Sequence, residues 1–176
     1  MVKLIIGAVV AVFLVIGAFM LLDPVMNPQT VAETTEVGET FTYTIEGEVS
    51  KVGTYTLADA ITMADLIEAA GGVSANADDR AYISTAPLKA GQTYFIASKY
   101  DATDVCGNSS ITKVNINADD AETMMSINGI TSSIASSIVS YRSEKGTFET
   151  IEQLKEVYGI GDATYRRVRN YVILHE

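Results

Sequence analysis

The sequence contains no tryptophan, one cysteine, one histidine and three prolines in 176 residues, and its 12 basic residues are outnumbered by 22 acidic ones. Each scarcity excludes something. A single cysteine, Cys106, cannot build a disulfide framework; outside the cell it is a free thiol or an intermolecular bridge. It lies in the polar stretch 100–110 (YDATDVCGNSS), which reads as an exposed linker. Cys106 and His175 alone form neither a zinc site nor a Cys-His nucleophile pair, and no carboxylates recur at metal-binding spacing. No catalytic residue, metal or cofactor is therefore expected. Few prolines together with 48 % hydrophobic residues exclude a disordered or collagen-like chain. A net charge of −10 has the wrong sign for a simple basic nucleic-acid-binding protein. That exclusion fails on closer reading, because the charge is unevenly spread.

Leu4 to Leu22 is an uncharged run of 19 residues rich in Val, Ile, Leu, Phe, Ala and Gly. As a helix it would extend ~28 Å at ~1.5 Å per residue, close to the ~30 Å hydrocarbon core of a bilayer. A cleavable signal has a shorter apolar region and a small-residue cleavage site, and Ala18-Phe19-Met20-Leu21-Leu22-Asp23-Pro24 offers no clean one. The run is read as an uncleaved transmembrane anchor. Lys3 before it and Asp23 after it place the N-terminus in the cytoplasm and residues 24–176 outside the cell membrane, in a single-pass arrangement. Residues 23–40, polar, acidic and Thr-rich without period, read as a stalk.

Residues 41–98 carry an α+β pattern. Phe41-Thr42-Tyr43-Thr44-Ile45 alternates apolar and polar as a half-buried strand does, and Tyr55-Thr56-Leu57 begins a second strand after the turn at Val52-Gly53-Thr54. Thr62 and Asp65 form a capping box for a helix whose apolar face holds Leu66, Ile67 and Ala70. Gly71 or Gly72 ends that helix. Ala81-Tyr82-Ile83-Ser84 and Thr93-Tyr94-Phe95-Ile96 are expected to be further strands. The runs Glu46-Gly47-Glu48-Val49, Gly53–Leu57, Asp65-Leu66-Ile67-Glu68-Ala69-Ala70-Gly71-Gly72-Val73 and Gly91–Ile96 resemble the SLBB type of β-grasp domain. That resemblance implies a binding or self-association module rather than catalysis. Val52 stands where the family usually has proline.

After a linker at 99–113, residues 114–176 hold two copies of one unit. Helical Ala121–Met125 leads through Ser126-Ile127-Asn128-Gly129-Ile130-Thr131 into helical Ser132–Arg142. Helical Ile151–Val157 leads through Tyr158-Gly159-Ile160-Gly161 into a helix expected over Asp162–Val172. Gly129 and Gly159 are 30 positions apart, and Phe148 between the copies is expected to plug a joint core. Glycine lets the main chain approach a partner closely and opens a helix whose first amides lack acceptors. Those amides and the helix dipole make an anion site suited to phosphate oxygens. Paired hairpins of this kind could hold phosphates across a duplex groove without reading base edges. The competing interpretation is that the glycines only pack helices together.

Val114–Ala118, Tyr141–Phe148, Ile151–Val157 and Gly159-Ile160-Gly161 are similar to a tandem helix–hairpin–helix domain. With an anchor and an SLBB-like domain before it, the chain resembles the ComEA family of membrane-bound competence DNA receptors. The fold class implied is multi-part: a transmembrane helix (1–22), an α+β β-grasp domain and an all-α tandem helix–hairpin–helix domain. The function implied is binding of extracellular double-stranded DNA without sequence specificity and its delivery to DNA-uptake channel proteins. Self-association through the SLBB-like domain is expected as well. The DNA-binding residues expected are Gly129, Ile130, Thr131, Ser132 and Ser133 in the first hairpin, and Gly159, Ile160, Gly161 and Ala163 in the second. Arg142, Lys145, Arg166, Arg167 and Arg169 join them as longer-range cations. Three features depart from the family: Thr131 replaces a glycine, Asn128 a proline, and Ile134 and Ala163 replace lysines.

Charge follows the same division. Asp23 to Ser110 has 4 basic and 13 acidic residues, whereas Arg142 to Arg169 has 6 basic and 5 acidic. Binding should therefore be confined to the C-terminal part and weaken with salt. An alternative from another class is a membrane-anchored surface interaction protein whose SLBB-like domain binds glycan or self-associates. A DNA-repair enzyme is rejected, because the sequence shows no carboxylate cluster at metal-binding spacing, no base-flipping pocket residues and no zinc motif.

Overall fold

The computed structural model describes residues 39–101 and 110–176; the apolar run 4–22, residues 23–38 of the stalk and Cys106 lie outside them, and Thr40, expected in the stalk, opens the first strand. No helix among the described residues is long and apolar enough to cross a membrane. Gly38–Glu176 forms one compact unit with two main apolar cores.

The first core is built on a three-stranded sheet of order β2-β1-β3, with β1 Thr40–Gly47, β2 Gly53–Ala58 and β3 Thr93–Ile96. β1 and β2 form an antiparallel hairpin in which Tyr43 faces Tyr55, and β3 joins the other edge of β1 in parallel, with Ile45 opposite Tyr94. The period of two in β1 turns Tyr43 and Ile45 inward. The parallel partner needs a crossover, and α1 (Met63–Ala69) supplies it, laying Met63 and Leu66 into the same core. Its capping box forms as expected: the Asp65 carboxylate accepts from the Thr62 amide at 2.7 Å, and the Asp65 amide donates to the Thr62 hydroxyl. That hydrogen bonding holds the Asp65 carboxyl below its ordinary value. Positive φ at Gly71 and Gly72 ends the helix.

The strand expected at Ala81–Ser84 is absent. The Asp78 side chain accepts from the Arg80 amide, and the Ala81 amide donates to the Asp78 carbonyl, so Asp79–Ala81 winds into a 3₁₀ turn instead. Local capping by an aspartate outweighs the strand preference of Tyr82 and Ile83.

The second core joins α2 (Ala121–Met124), α3 (Ser132–Lys145), a 3₁₀ turn at Ile151–Glu156 and α4 (Asp162–Val168). A two-residue parallel ribbon, β4 (Val114–Asn115) with β5 (Val172–Ile173), closes it. Phe148 is fully buried there, stacked on Tyr141 at 4.7 Å between centroids. The helix expected to reach Val172 stops at Val168. The Tyr171 amide turns back to the Val168 carbonyl, the Val114 amide takes the Tyr171 carbonyl, and Val172 is buried as a strand residue. Apolar spacing at Val168, Tyr171 and Val172 fits helix and ribbon alike, and only the distant partner Val114 decides between them.

Candidate functional site

Each hairpin turn is held by two buried apolar pegs around its glycine: Ile127 and Ile130 in the first, Val157 and Ile160 in the second. Short amide-to-carbonyl bonds, Ile130 to Ile127 and Ile160 to Val157, close the turns. Gly129 and Gly159 take φ of +110° and +92°, a region L side chains rarely adopt. Their bare faces look towards the opposite hairpin, closely at Gly129 and loosely at the exposed Gly159. A Cβ on Gly129 would lie 2.8 Å from Cδ of Arg167 and 3.2 Å from Cγ1 of Val168, both on the other hairpin's helix. A Cβ on Gly159 would meet Cγ1 of Ile134 at 3.5 Å, on the first hairpin's helix. The two hairpins thus interlock unequally: the second hairpin's helix covers the Gly129 turn, where the packing interpretation holds, whereas the first hairpin's helix only touches the Gly159 turn, which stays exposed.

The helix starts point elsewhere and are exposed at Thr131, Ser132 and Ser133 in the first hairpin and at Gly161, Asp162 and Ala163 in the second. Ile130 and Ile160 are buried pegs whose amides are already spent on closing the turns. The two starts differ. Thr131 caps its own helix, its hydroxyl accepting from the Ile134 amide at 3.3 Å, which leaves Ser132 and Ser133 as the open amides. Gly161 makes no side-chain cap, so the first turn of α4 keeps its amides for another acceptor, although Asp162 brings a carboxylate beside them.

The five expected cations fall into different settings. Arg166 and Arg167 are exposed on α4, with the Arg167 stem lying across Gly129. Lys145 is exposed at the end of α3. Arg142 turns inward and donates from Nη1 to the Ile116 carbonyl at 3.0 Å. Arg169 is engaged across the molecule: Nη1 is 3.0 Å from Oε2 of Glu46 on β1, and the guanidinium lies 3.9 Å over the Phe95 ring.

That contact belongs to a docking seam between the two cores that sequence reasoning missed. Glu152 is buried; its Oε1 accepts from the Phe95 amide at 2.8 Å and from the Tyr165 hydroxyl at 2.9 Å. Its Oε2 has no hydrogen-bond partner among the described residues. Burial raises the Glu152 carboxyl, and burial together with the nearby Glu152 carboxylate pushes the Tyr165 hydroxyl upward. The Ser98 amide and hydroxyl both donate to Oδ1 of Asn170, and Lys89 pairs with Glu156 at 3.1 Å. At the other end Asp78, fully buried, pairs with Lys113 at 2.9 Å and Arg80 at 3.0 Å. Burial would raise the Asp78 carboxyl, but the hydrogen bonds from Arg80 and the ion pair with Lys113 outweigh it and hold the group at about 2. Burial lowers the Lys113 ammonium despite its partner. These pairs join residues up to 123 positions apart, which no local pattern announces. The one local hint was Glu152, a carboxylate flanked by the apolar Ile151 and Leu154.

No group of three or more metal-ligating side chains occurs among the described residues. What the site can do chemically is present backbone amides and a few arginines to an anion.

Comparison with known proteins agrees with this architecture. The SLBB domain family matches residues 42–92, and the helix-hairpin-helix motif family matches residues 109–173. ComE operon protein 1 of Bacillus subtilis is 31 % identical over 150 residues, covering 80 % of this chain and 73 % of that protein. An uncharacterized protein of Haemophilus influenzae is 45 % identical over 62 residues, 35 % of this chain and 55 % of that one. Endonuclease/exonuclease/phosphatase family domain-containing protein 1 of Bos taurus is 42 % identical over 60 residues, 34 % of this chain but 10 % of that protein. The overlap with the last two is confined to a short stretch, whereas the Bacillus protein is matched along most of its length. The chain therefore belongs to the ComEA family, that of ComE operon protein 1.

Proposed function

We propose that this protein is a cell-surface receptor that binds double-stranded DNA without sequence specificity. The observation that carries the reading is the pair of interlocked hairpins, each opening an exposed helix start beside arginines, in a chain of this family. Phosphate oxygens would take the amides at Ser132–Ser133 and Gly161–Ala163, with Arg166, Arg167 and Lys145 adding attraction. Contacts of this kind position DNA and carry no base information. The second hairpin is the stronger anion site in this reading, because Gly161 leaves its amides uncapped. Glu46 and the acidic middle portion compete with phosphate for Arg169, so affinity is weak, ~10⁻⁴–10⁻⁶ M as for other non-specific contacts.

The rest of the reading assigns residues 1–22 to the anchor, 23–40 to a stalk, 41–98 to the SLBB-like domain, 99–113 to a linker and 114–176 to DNA binding. Residues 24–176 lie outside the cell, bound DNA passes to an uptake channel, and the SLBB-like domain contributes self-association. No chemical step is assigned to the chain. The test is titration of plain duplex DNA with residues 24–176 at ~50 mM salt, against duplexes of unrelated sequence. Equal affinity across sequences that falls steeply with salt supports the reading. Binding of a glycan with no DNA binding would replace it by the surface-interaction alternative.

A further inference from the structure

Among the described residues Tyr158 is the most exposed large hydrophobic side chain, at 86 %. Its place explains why it cannot turn inward. Val157 before it is a buried peg of the second hairpin, Gly159 after it holds φ +92°, and the turn is closed by the Ile160-to-Val157 bond. The backbone therefore projects the ring outward from the hairpin apex, with its faces open to solvent. The matching position in the first hairpin, one residue before Gly129, is Asn128, so the two apices are unlike.

The ring stands at the lip of a groove of about 620 Å³ between α3 and the second hairpin, lined also by Ser133, Ser137, Tyr141 and Lys145. Ser137 donates to the Ser133 carbonyl and Tyr141 donates to Glu156, so these hydroxyls are already occupied within the protein. What the lip offers is a bare aromatic face in the same groove as Ser133, one of the residues whose amides are assigned to phosphate, and three residues before Gly161. A π-face next to a phosphate site is suited to the base of the same or the neighbouring nucleotide, and stacking of this kind tolerates any base. Inside a duplex each base is covered above and below by its neighbours, and a blunt end bares only the outer face of its last pair, whereas a single-stranded overhang offers unpaired bases that can swing onto the ring.

We propose that Tyr158 is a base-stacking platform that makes this site prefer DNA with a single-stranded overhang over blunt duplex. The proposal rests on the DNA-binding reading above and deepens it by naming the form of DNA favoured.

The experiment uses the full chain in detergent micelles, titrated with a blunt duplex and with the same duplex carrying a single-stranded overhang. The parent should bind the overhang DNA about tenfold more tightly, equivalent to ~1.4 kcal/mol and within the range for one stacked base. Tyr158→Ala should lower overhang affinity to the blunt value and leave its salt dependence unchanged, since the ring carries no charge. Tyr158→Phe should keep the preference. A parent that binds both DNAs equally, a Tyr158→Ala protein that keeps the preference, or a Tyr158→Phe protein that loses it would each overturn the proposal while leaving the hairpin reading intact. A parent that binds neither DNA at ~50 mM salt would overturn the DNA-binding reading itself, and this proposal with it.

Discussion

Arg166 and Arg169 stand three residues apart on one helical face, and by sequence both are assigned to phosphate. Their surroundings separate them, so alanine should reveal two different losses. Arg169 holds Glu46 at 3.0 Å and covers Phe95 at 3.9 Å, with its side chain 23 % exposed. A partly exposed ion pair contributes ~0–1 kcal/mol and a guanidinium over a ring ~0.5–1 kcal/mol or more, so Arg169→Ala should cost about 1–2 kcal/mol. With an unfolding entropy of ~2.1 cal/mol/K per residue, a unit of this size should lose roughly 3–7 °C in Tm. Arg166 is exposed, and its replacement should stay within ~0.5 kcal/mol of the parent. DNA binding should show the reverse order. If Arg166 meets one phosphate, its loss should reduce the slope of log affinity against log salt by ~0.9. Between ~50 and ~200 mM salt that is about a 3.5-fold smaller drop in affinity. Arg169→Ala should leave the slope close to that of the parent. Calorimetry and anisotropy titration on residues 24–176 give both readings. An Arg169→Ala protein that melts with the parent and flattens the salt slope by ~0.9 would refute the docking of Arg169 on the middle core.

Four further outcomes are expected. Gly129→Ala should destabilise more than Gly159→Ala in denaturant melts, because both force an L side chain to positive φ but only the first drives Cβ into Arg167 and Val168. Thr131→Gly should cost only a few tenths of a kcal/mol and strengthen duplex binding, since it releases the Ile134 amide from its cap. Asp78, held at about 2 in the folded state against an ordinary 3.8, contributes stability that is full above pH ~4 and lost as pH falls towards about 2. Tm measured over that window should fall, and Asp78→Asn should flatten the decline while lowering stability at pH 7, because Lys113 loses its buried partner. Glu152 has the opposite sign: its raised carboxyl favours the protonated fold, so the cost of ionised Glu152 is full above the raised value and eases as pH falls through it towards the ordinary 4.5. Glu152→Gln should raise Tm at pH 7 with the gain shrinking in acid, whereas Glu152→Ala, which orphans the Phe95 amide and the Tyr165 hydroxyl, should lower it.

Local chemistry was written in the sequence wherever a structure closes over a few residues. The Thr62–Asp65 capping box, the alternation of Tyr43 and Ile45, the hairpin glycines and the buried plug Phe148 all follow from neighbours within one or two turns. The same rules misled at Ala81–Ser84 and beyond Val168, where a capping aspartate and a distant strand partner outweighed local preference. Tertiary structure alone decided how the parts lie against one another. Sequence reading divides the chain at a linker and leaves the C-terminal cations to DNA. Folding brings Glu46 to Arg169, Asp78 to Lys113 and Glu152 to Phe95, and so assigns Arg169 to docking and turns Arg142 inward. Burial makes the contacts of Asp78 and Glu152 specific, because a charge removed from water must find its partner wherever the chain has placed it. A charge count along the sequence cannot contain that information, since it records the sign of each residue and not what the fold sets opposite it.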